Sequence, residues 1–281
     1  MNYFQTLKFG SNKLKLNNIN THILDSELLL SCALNLPREK VLTNLDAKIK
    51  KSRFNSFKKL LHRREKKEPV AYIINNKEFW KNNFYINKDV LIPRPETEII
   101  VEEVLKIVKP FSSKSLLDVG TGSGCIIISI IKERLNCLAT AIDLSKKALN
   151  IARFNAKMHH LINKINFVNI DIDKIQDNKY DFIISNPPYI KKLNLSKLDE
   201  SVKFFEPYIA LEAGIDGLRE IKKLIIKSNK LLKRNGRLIF EIGEHQSMIV
   251  KSILNDNGYY VNKVINDISS IPRVIISTKI N

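Results

Sequence analysis

Apolar residues recur at helical spacing in the N-terminal part of the chain. Between residues 21 and about 61 they follow i, i+3, i+4 spacing, first over 23–34 and again over 54–61. This spacing predicts a small bundle of helices. The pattern ends at Pro69, because proline has no backbone N–H to donate within a helix.

The next segment, AYIINNKEFWKNNFYINKDVLIPRPETE, alternates between apolar and polar residues as a β-hairpin does. Asn75 and Asn76 are the expected turn pair, because asparagine tolerates the left-handed backbone that tight turns require. We therefore predict a linker that contains a hairpin over residues 69–95.

Beyond Pro110 the pattern alternates between strands and helices, which is typical of a mainly parallel sheet covered on both faces. The connection through Pro272 is too short for a helical crossover, so the last strand should be antiparallel. The expected fold is α/β, with a seven-stranded, mainly parallel, Rossmann-like sheet whose last strand is antiparallel. The predicted strands are 115–119, 139–143, 165–170, 180–185, 236–242, 259–264 and 273–278, and the predicted helices are 123–134, 145–157, 218–232 and 244–255.

Length and composition favour two domains. The chain has 281 residues, of which 44% are hydrophobic and 27% charged, so it can bury a full core. We predict a helical domain over residues 1–68, the hairpin linker over 69–95 and an α/β domain over 96–281.

Several functional classes find no support. No apolar run approaches the ~20 residues needed to cross a bilayer, and the first residues lack the apolar core of a signal peptide. The three cysteines show no CxxC spacing, which argues against zinc and redox chemistry. We expect a soluble cytoplasmic protein without a metal site.

The net charge of +18 is unevenly distributed. Between Lys48 and Lys67 there are ten Lys or Arg residues, with Glu65 the only acidic residue among them. Such a segment can attract a polyanion at physiological salt. The whole chain is also rich in Lys, Asn and Ile, and the resulting compositional drift is the favoured explanation, although both remain open.

A glycine turn lies between a predicted strand and a predicted helix, in the segment LLDVGTGSGCIIISII. Glycines there permit positive φ and let the backbone approach a ligand closely. Asp143 closes the next strand, about 20 residues on, where an acid can accept hydrogen bonds from both hydroxyls of a ribose. The candidate residues of the turn are Asp118, Gly120, Thr121, Gly122, Ser123 and Gly124.

The pattern favours S-adenosyl-L-methionine over NAD. The spacing is G-x-G-x-G, and Asp118 stands where a carboxylate could hold an ammonium group. After the third strand come Asp171 and Ile172, where we expect the adenine to contact a carboxylate and an apolar side chain. The structural alternatives are that Asp118 caps a turn, that Asp143 is the N-cap of the next helix, and that Asp171 is a surface acid.

The most specific motif is Asn186-Pro187-Pro188-Tyr189, which ends the fourth strand. Two prolines cannot continue a sheet, so the turn is rigid and directs polar groups to the strand ends. A planar amine or amide nitrogen with two hydrogens needs two acceptors. The Asn186 side-chain oxygen and the Pro187 carbonyl can supply them, while the Tyr189 ring covers the flat face of the substrate.

These motifs resemble the peptide chain release factor glutamine N5-methyltransferases, which are class I S-adenosyl-L-methionine-dependent enzymes. The likeness extends over nearly the whole chain, including LIPRPETE, DVGTGSG, NPPY and FEIGEHQ. It implies that the N-terminal domain recognises the protein substrate. It also implies cofactor contacts at residues 120–124, 143, 172 and 186, and substrate contacts at 186–189, with Arg94, Pro95, Glu96 and Thr97 closing over the site.

The resemblance implies methyl transfer from S-adenosyl-L-methionine to the side-chain amide N5 of the glutamine in the GGQ motif of release factors. We expect this protein to be a monomer whose partner is the release factor. We expect it to need neither a membrane nor a nucleic acid, with weak electrostatic contact to RNA left open. Two alternatives remain. A nucleic-acid adenine N6-methyltransferase would make the same demands on Asn186 and Pro187, and a non-catalytic RNA-binding module would use the basic segment 48–67.

Overall fold

A computed structural model describes residues 1–176 and 179–280. The chain divides into two compact units, one formed by residues 1–76 with 199–205 and the other by residues 77–198 with the chain from Glu206 onward. The division at residue 76 lies inside the segment expected to be a linker. The three-part division into 1–68, 69–95 and 96–281 therefore stays a prediction.

Each segment that the hydrophobic spacing predicted as helical contains an α-helix. In the described residues the α-helices, in chain order, are α1 Tyr3–Leu16, α2 His22–Leu34, α3 Arg38–Leu42, α4 Lys51–Glu65, α5 Val70–Ile73, α6 Glu98–Ile107, α7 Cys125–Glu133, α8 Lys146–Met158, α9 Glu200–Phe205, α10 Arg219–Leu231 and α11 Ser247–Asp256. The described part of the chain contains no helix with the length and apolar character that a membrane span requires.

In the first unit, α1, α2 and α4 form the expected helical bundle. Leu14, Leu29 and Phe57 are fully buried at its centre. Burial of the apolar faces of these helices is what stabilises them, since isolated helices of this length are marginal in water.

Several basic residues of the segment 48–67 have structural partners inside this unit. The Arg64 guanidinium contacts the buried Asp25 carboxylate at 2.7 Å, and Arg63 contacts Glu68 at 2.5 Å. The side chains of Lys58 and Lys59 are exposed on α4. Only part of the basic segment is therefore available to an external partner.

The hairpin forms, but the expected turn is wrong. Its strands are β1 Lys77–Phe79 and β2 Asn82–Phe84, and the turn residues are Trp80 and Lys81, with φ of 46° and 61°. Positive φ at both central positions is typical of a type I′ hairpin turn. Here the Trp80 N–H is held by Glu98 Oε1 at 3.0 Å. Asn75 does adopt a left-handed φ of 54°, but it follows α5 instead of forming the turn.

The second unit contains the α/β sheet. Its strands are β3 Ser115–Val119, β4 Leu138–Asp143, β5 Ile165–Asn169, β6 Tyr180–Ser185, β7 Leu232–Glu241, β8 Tyr259–Asn266 and β9 Pro272–Lys279. Within the described residues these strands form one seven-stranded sheet in the order β5-β4-β3-β6-β7-β9-β8. All neighbours are parallel except that β9 is antiparallel to both β7 and β8, which confirms the expected fold.

The strand order places the functional site. The chain runs outward from β3 through β4 to β5, then returns to β6 on the other side of β3. In open sheets of this type the ligand crevice lies beyond the carboxyl ends of the strands at this reversal. The glycine turn after β3 and the Asn186 turn after β6 are therefore neighbours at one edge of the sheet.

Candidate active site

A cavity of about 540 Å³ lies at the carboxyl ends of β3, β4, β5 and β6. Of the residues predicted to bind cofactor or substrate, ten line it: Gly120, Thr121, Gly122, Ser123, Asp143, Asp171, Ile172, Asn186, Pro187 and Pro188. Thr97 lines it as well. The remaining predicted residues do not belong to its wall, namely Asp118, Gly124, Tyr189, Arg94, Pro95 and Glu96.

The glycine turn leaves open space on its cavity side. Gly120, Gly122 and Gly124 have positive φ of 71°, 56° and 80°. A Cβ at Gly120 would meet nothing within 4 Å, whereas a Cβ at Gly124 would lie 2.8 Å from Ile128 and 3.2 Å from Ala152. Gly120 thus allows a ligand to approach the backbone, and Gly124 allows the turn to pack against α8.

Asp118 is a buried carboxylate with one oxygen unpaired. Thr121 Oγ1 donates to Asp118 Oδ2 at 2.6 Å, so the residue does hold the turn. No donor in the described residues reaches Oδ1. Burial raises the pKa of Asp118 to about 7, although the Thr121 hydrogen bond opposes the shift. An unpaired buried carboxylate oxygen fits the ammonium group of a methionine moiety.

Asp143 connects two loops at the sheet edge. Its Oδ2 accepts from the Gly122 N–H at 2.9 Å, and its Oδ1 accepts from the Ser145 N–H at 2.8 Å. The N-cap of α8 is Ser145, which accepts from the Ala148 N–H, so the alternative that Asp143 is that N-cap is wrong. Each carboxylate oxygen keeps a lone pair that can accept from a ribose hydroxyl.

Asp171 is paired with a lysine that sequence reasoning missed. Lys223 Nζ on α10 lies 2.6 Å from Asp171 Oδ2 and also lines the cavity. Burial raises the pKa of Asp171, but the Lys223 hydrogen bond and charge outweigh it and lower the pKa overall. Ile172 is buried beside it in the wall. A lysine on an amphipathic helix carries no local signal of such a role.

The Asn186 turn is held by Thr97, which lines the cavity, and by the buried Glu241. Asn186 Nδ2 donates to Thr97 Oγ1 at 3.0 Å, and Thr97 Oγ1 donates to Glu241 Oε2 at 2.6 Å. Tyr189 OH donates to the other Glu241 oxygen at 3.1 Å. Since Tyr189 lies outside the cavity wall, its contact with a substrate stays a prediction. Glu241 was missed by sequence reasoning, although an acid that ends the apolar strand segment RLIFE is a detectable signal.

The loop that contains Arg94 is anchored by the buried carboxylate of Glu206. Arg94 Nη2 donates to Glu206 Oε1 at 2.5 Å, and the Ile92 N–H donates to Glu206 Oε2 at 3.3 Å. Pro93 and Thr97 reach the cavity from this loop, whereas Arg94, Pro95 and Glu96 do not. Glu206 is thus a loop anchor.

Known proteins that resemble this chain identify its family. Residues 5–74 match the model of the PrmC N-terminal domain, and residues 110–277 match that of a methyltransferase domain. The release factor glutamine methyltransferase of Caulobacter vibrioides is 34% identical over 271 residues, which cover 96% of this chain and 94% of that protein. The chain belongs to the release factor glutamine methyltransferase family. This confirms the resemblance and the expected cofactor, S-adenosyl-L-methionine.

Longer relatives share the sequence of this chain, and a solved structure shares its fold. A bifunctional methyltransferase of Rickettsia felis is 36% identical over 305 residues, which cover 99% of this chain but 58% of that protein. The chain spans little more than half the length of such bifunctional relatives. The crystal structure of a methyltransferase from Pyrococcus furiosus shares the fold, with a TM-score of 0.52, 19% identity and coverage of 70% of this chain and 89% of that one.

Proposed function

We propose that this family member transfers a methyl group from S-adenosyl-L-methionine to the side-chain amide N5 of the glutamine in the GGQ motif of peptide chain release factors. The observation that carries the proposal is the state of Asn186. Its amide nitrogen is bound to Thr97, while no donor in the described residues reaches its oxygen, in a residue that lines the cavity. A free acceptor fixed at that place suits a nitrogen that has hydrogens to donate.

The residues around the cavity fit the cofactor. Asp118 lies outside the wall but is hydrogen-bonded to Thr121 in the wall, and its unpaired Oδ1 would hold the ammonium group. Asp143 would hold the ribose hydroxyls, and Ile172 would cover one face of the adenine. Asp171 would accept from the adenine amine while Lys223 keeps it charged. The cofactor, when bound, supplies an electrophilic methyl group.

The Asn186 turn prepares the nucleophile. An amide nitrogen is a poor nucleophile because its lone pair is delocalised. The Asn186 oxygen and the Pro187 carbonyl accept its two hydrogens, orient it and stabilise the positive charge that grows on it. The methylated amide is very acidic while cationic, so its proton can leave to water without a general base.

The nearby carboxylates have other partners. Glu98 accepts from the Trp80 N–H, and Glu206 holds Arg94 and Ile92. Glu96 lies outside the cavity wall. None of the three is therefore placed as a base, which supports proton release to water.

The proposal also concerns partners and location. The N-terminal helical unit would recognise the release factor, and RNA would not be required. A substrate from the translation apparatus places the enzyme in the cytoplasm, and we propose that it acts there as a monomer.

Labelled cofactor distinguishes this activity from its rivals. The purified chain is incubated with methyl-labelled S-adenosyl-L-methionine and a release factor, the same factor with its GGQ glutamine replaced by alanine, or adenine-containing DNA and RNA. We expect label only in the intact factor. Label in nucleic acid would instead support an adenine N6-methyltransferase. If no substrate became labelled, the result would favour the non-catalytic RNA-binding module.

A further inference from the structure

Glu241 lies behind the cavity wall, and only 2% of the residue is accessible to solvent. It ends β7, next to β6, and its two oxygens accept from Thr97 Oγ1 and Tyr189 OH. Thr97 in turn accepts from Asn186 Nδ2. A single buried carboxylate therefore connects to both ends of the turn 186–189.

The donors and acceptors of this chain leave one arrangement. When Glu241 is ionised, its carboxylate can only accept hydrogen bonds, and the Thr97 hydroxyl has one hydrogen to donate. Thr97 donates that hydrogen to Glu241, so it can only accept from Asn186. Asn186 must then present its NH₂ group to Thr97, and its oxygen faces the other way.

The orientation of the Asn186 amide decides what the cavity offers. The two ends of an asparagine amide have nearly the same shape, so packing alone does not choose between them. With its oxygen free, the residue can accept a hydrogen from a substrate nitrogen. With the amide turned over, it would present N–H donors to the substrate N–H groups, and neither could bind the other.

We propose that Glu241 is a positioning residue that acts through the Thr97 hydroxyl to keep the Asn186 oxygen available as the acceptor for the substrate amide. The inference rests on the proposed function. It adds a reason why the enzyme would accept a glutamine side chain, which has an amide nitrogen, and reject a glutamate side chain, which has a carboxylate. A glutamate in place of the substrate glutamine has no hydrogens to donate at neutral pH, so the fixed Asn186 oxygen repels it.

Burial makes the charged form of Glu241 less stable than it is in water. The ionised state that this arrangement needs therefore depends on the groups around the carboxylate. Burial raises the pKa of Glu241, while the hydrogen bonds from Thr97 and Tyr189 and the charge of Arg273 lower it, and the charge of Glu96 raises it further. A buried acid that needs three such partners contributes little to stability by itself. Its placement is better explained by the orientation that it imposes on Thr97.

Three substitutions separate this role from a structural one. Thr97→Val removes the hydroxyl at nearly constant shape, and Glu241→Gln allows the hydrogen-bond direction to reverse, because a side-chain amide can also donate to Thr97. Thr97→Ser keeps the hydroxyl and should therefore restore the orientation of Asn186 that Thr97→Val loses. Glu103→Gln is the control, since Glu103 is a buried acid of the same unit that pairs with Lys106 and Lys263.

The kinetic readout is kcat for the release factor together with competitive inhibition by the factor whose GGQ glutamine is replaced by glutamate. We expect Thr97→Val and Glu241→Gln to lower kcat at least ~10-fold with unchanged cofactor affinity, and to bind the glutamate form better relative to the glutamine form. Glu103→Gln should behave as wild type, and Thr97→Ser should recover the wild-type preference for the glutamine form. Lower kcat without a change in this binding preference would overturn the inference.

An NMR measurement on the cofactor-free chain reads the orientation directly. With asparagine labelled by ¹⁵N, the Asn186 NH₂ protons should show nuclear Overhauser contacts to Thr97 in the wild type and lose them in Glu241→Gln. Contacts that persist would contradict the inference even if release factors are not the substrate. A wild type that methylates no release factor would contradict the proposed function alone.

Discussion

Asp143 accepts a hydrogen bond from the backbone N–H of Gly122 at 2.9 Å, so the acid that ends β4 also holds the glycine turn that follows β3. The two residues line the same cavity. Replacement of Asp143 should therefore remove a ligand contact and loosen the turn at once.

Asp143→Ala should weaken cofactor binding by roughly 1.5–3 kcal/mol for each ribose hydrogen bond that it removes, because the acceptor is charged. Titration calorimetry with S-adenosyl-L-methionine measures this loss. The control is Asp216→Asn, which changes an exposed acid outside the cavity wall. Equal affinities for the wild type and Asp143→Ala would show that Asp143 only connects the two loops and does not bind the cofactor.

Cofactor affinity should depend on the charge of Asp118. Its pKa is raised to about 7 by burial, and an ammonium group binds the ionised form. Below that pH the carboxyl takes up a proton, so affinity should fall about tenfold per pH unit as pH decreases. Calorimetry from pH 5.5 to pH 8.5 should show this slope in the wild type and lose it in Asp118→Asn. A flat wild-type profile would show that Asp118 does not hold the ammonium group.

Asn186→Ala should reduce kcat on the order of 100-fold or more while cofactor affinity changes little, because it removes an acceptor of the reacting nitrogen. Asn186→Asp keeps one oxygen acceptor and should lose less. It should still fall well below wild type, since the single Thr97 hydroxyl hydrogen would have to serve both the introduced carboxylate and Glu241. Single-turnover kinetics on folded variants measure both losses, and wild-type turnover of Asn186→Ala would remove this turn from the mechanism.

The exposed lysines of α4 distinguish docking from compositional drift. Lys58→Glu with Lys59→Glu should raise KM for an intact release factor and reduce its dependence on salt, if an acidic face of the factor contacts them. Activity on a short glutamine-containing peptide should not change. Identical kinetics with the intact factor at low and high salt would show that the positive charge is drift.

Arg63 and Arg64 are unsuitable for that experiment because they stabilise the first unit. Arg64→Ala leaves the buried Asp25 carboxylate without its cation and should lower the free energy of unfolding by about 3 kcal/mol. Urea denaturation measures this loss, with Lys59→Ala as the exposed control. A change below about 0.5 kcal/mol, the usual range for surface substitutions, would contradict the structural role.

The sequence alone determined the elements whose signals are local. Strand and helix periods placed β3 to β9 and the helices α7, α8, α10 and α11, because each element buries one face or stripe at a fixed spacing. The glycine turn and the Asn186 turn were also readable, since positive φ and paired prolines restrict the backbone within a few residues. Their common edge followed from the strand order that a parallel sheet of this type adopts.

Tertiary structure decided what depends on residues far apart in the chain. The hairpin turn falls at Trp80 and Lys81, where Glu98 binds the Trp80 backbone, although neither residue favours positive φ. The partner of Asp171 came from α10, and the Asn186 amide is oriented by Thr97 and Glu241, which are 144 residues apart. Such contacts leave no period in the sequence, because a buried hydrogen bond depends on which side chains the folded sheet brings within about 3 Å, and that is known only once the whole sheet is assembled.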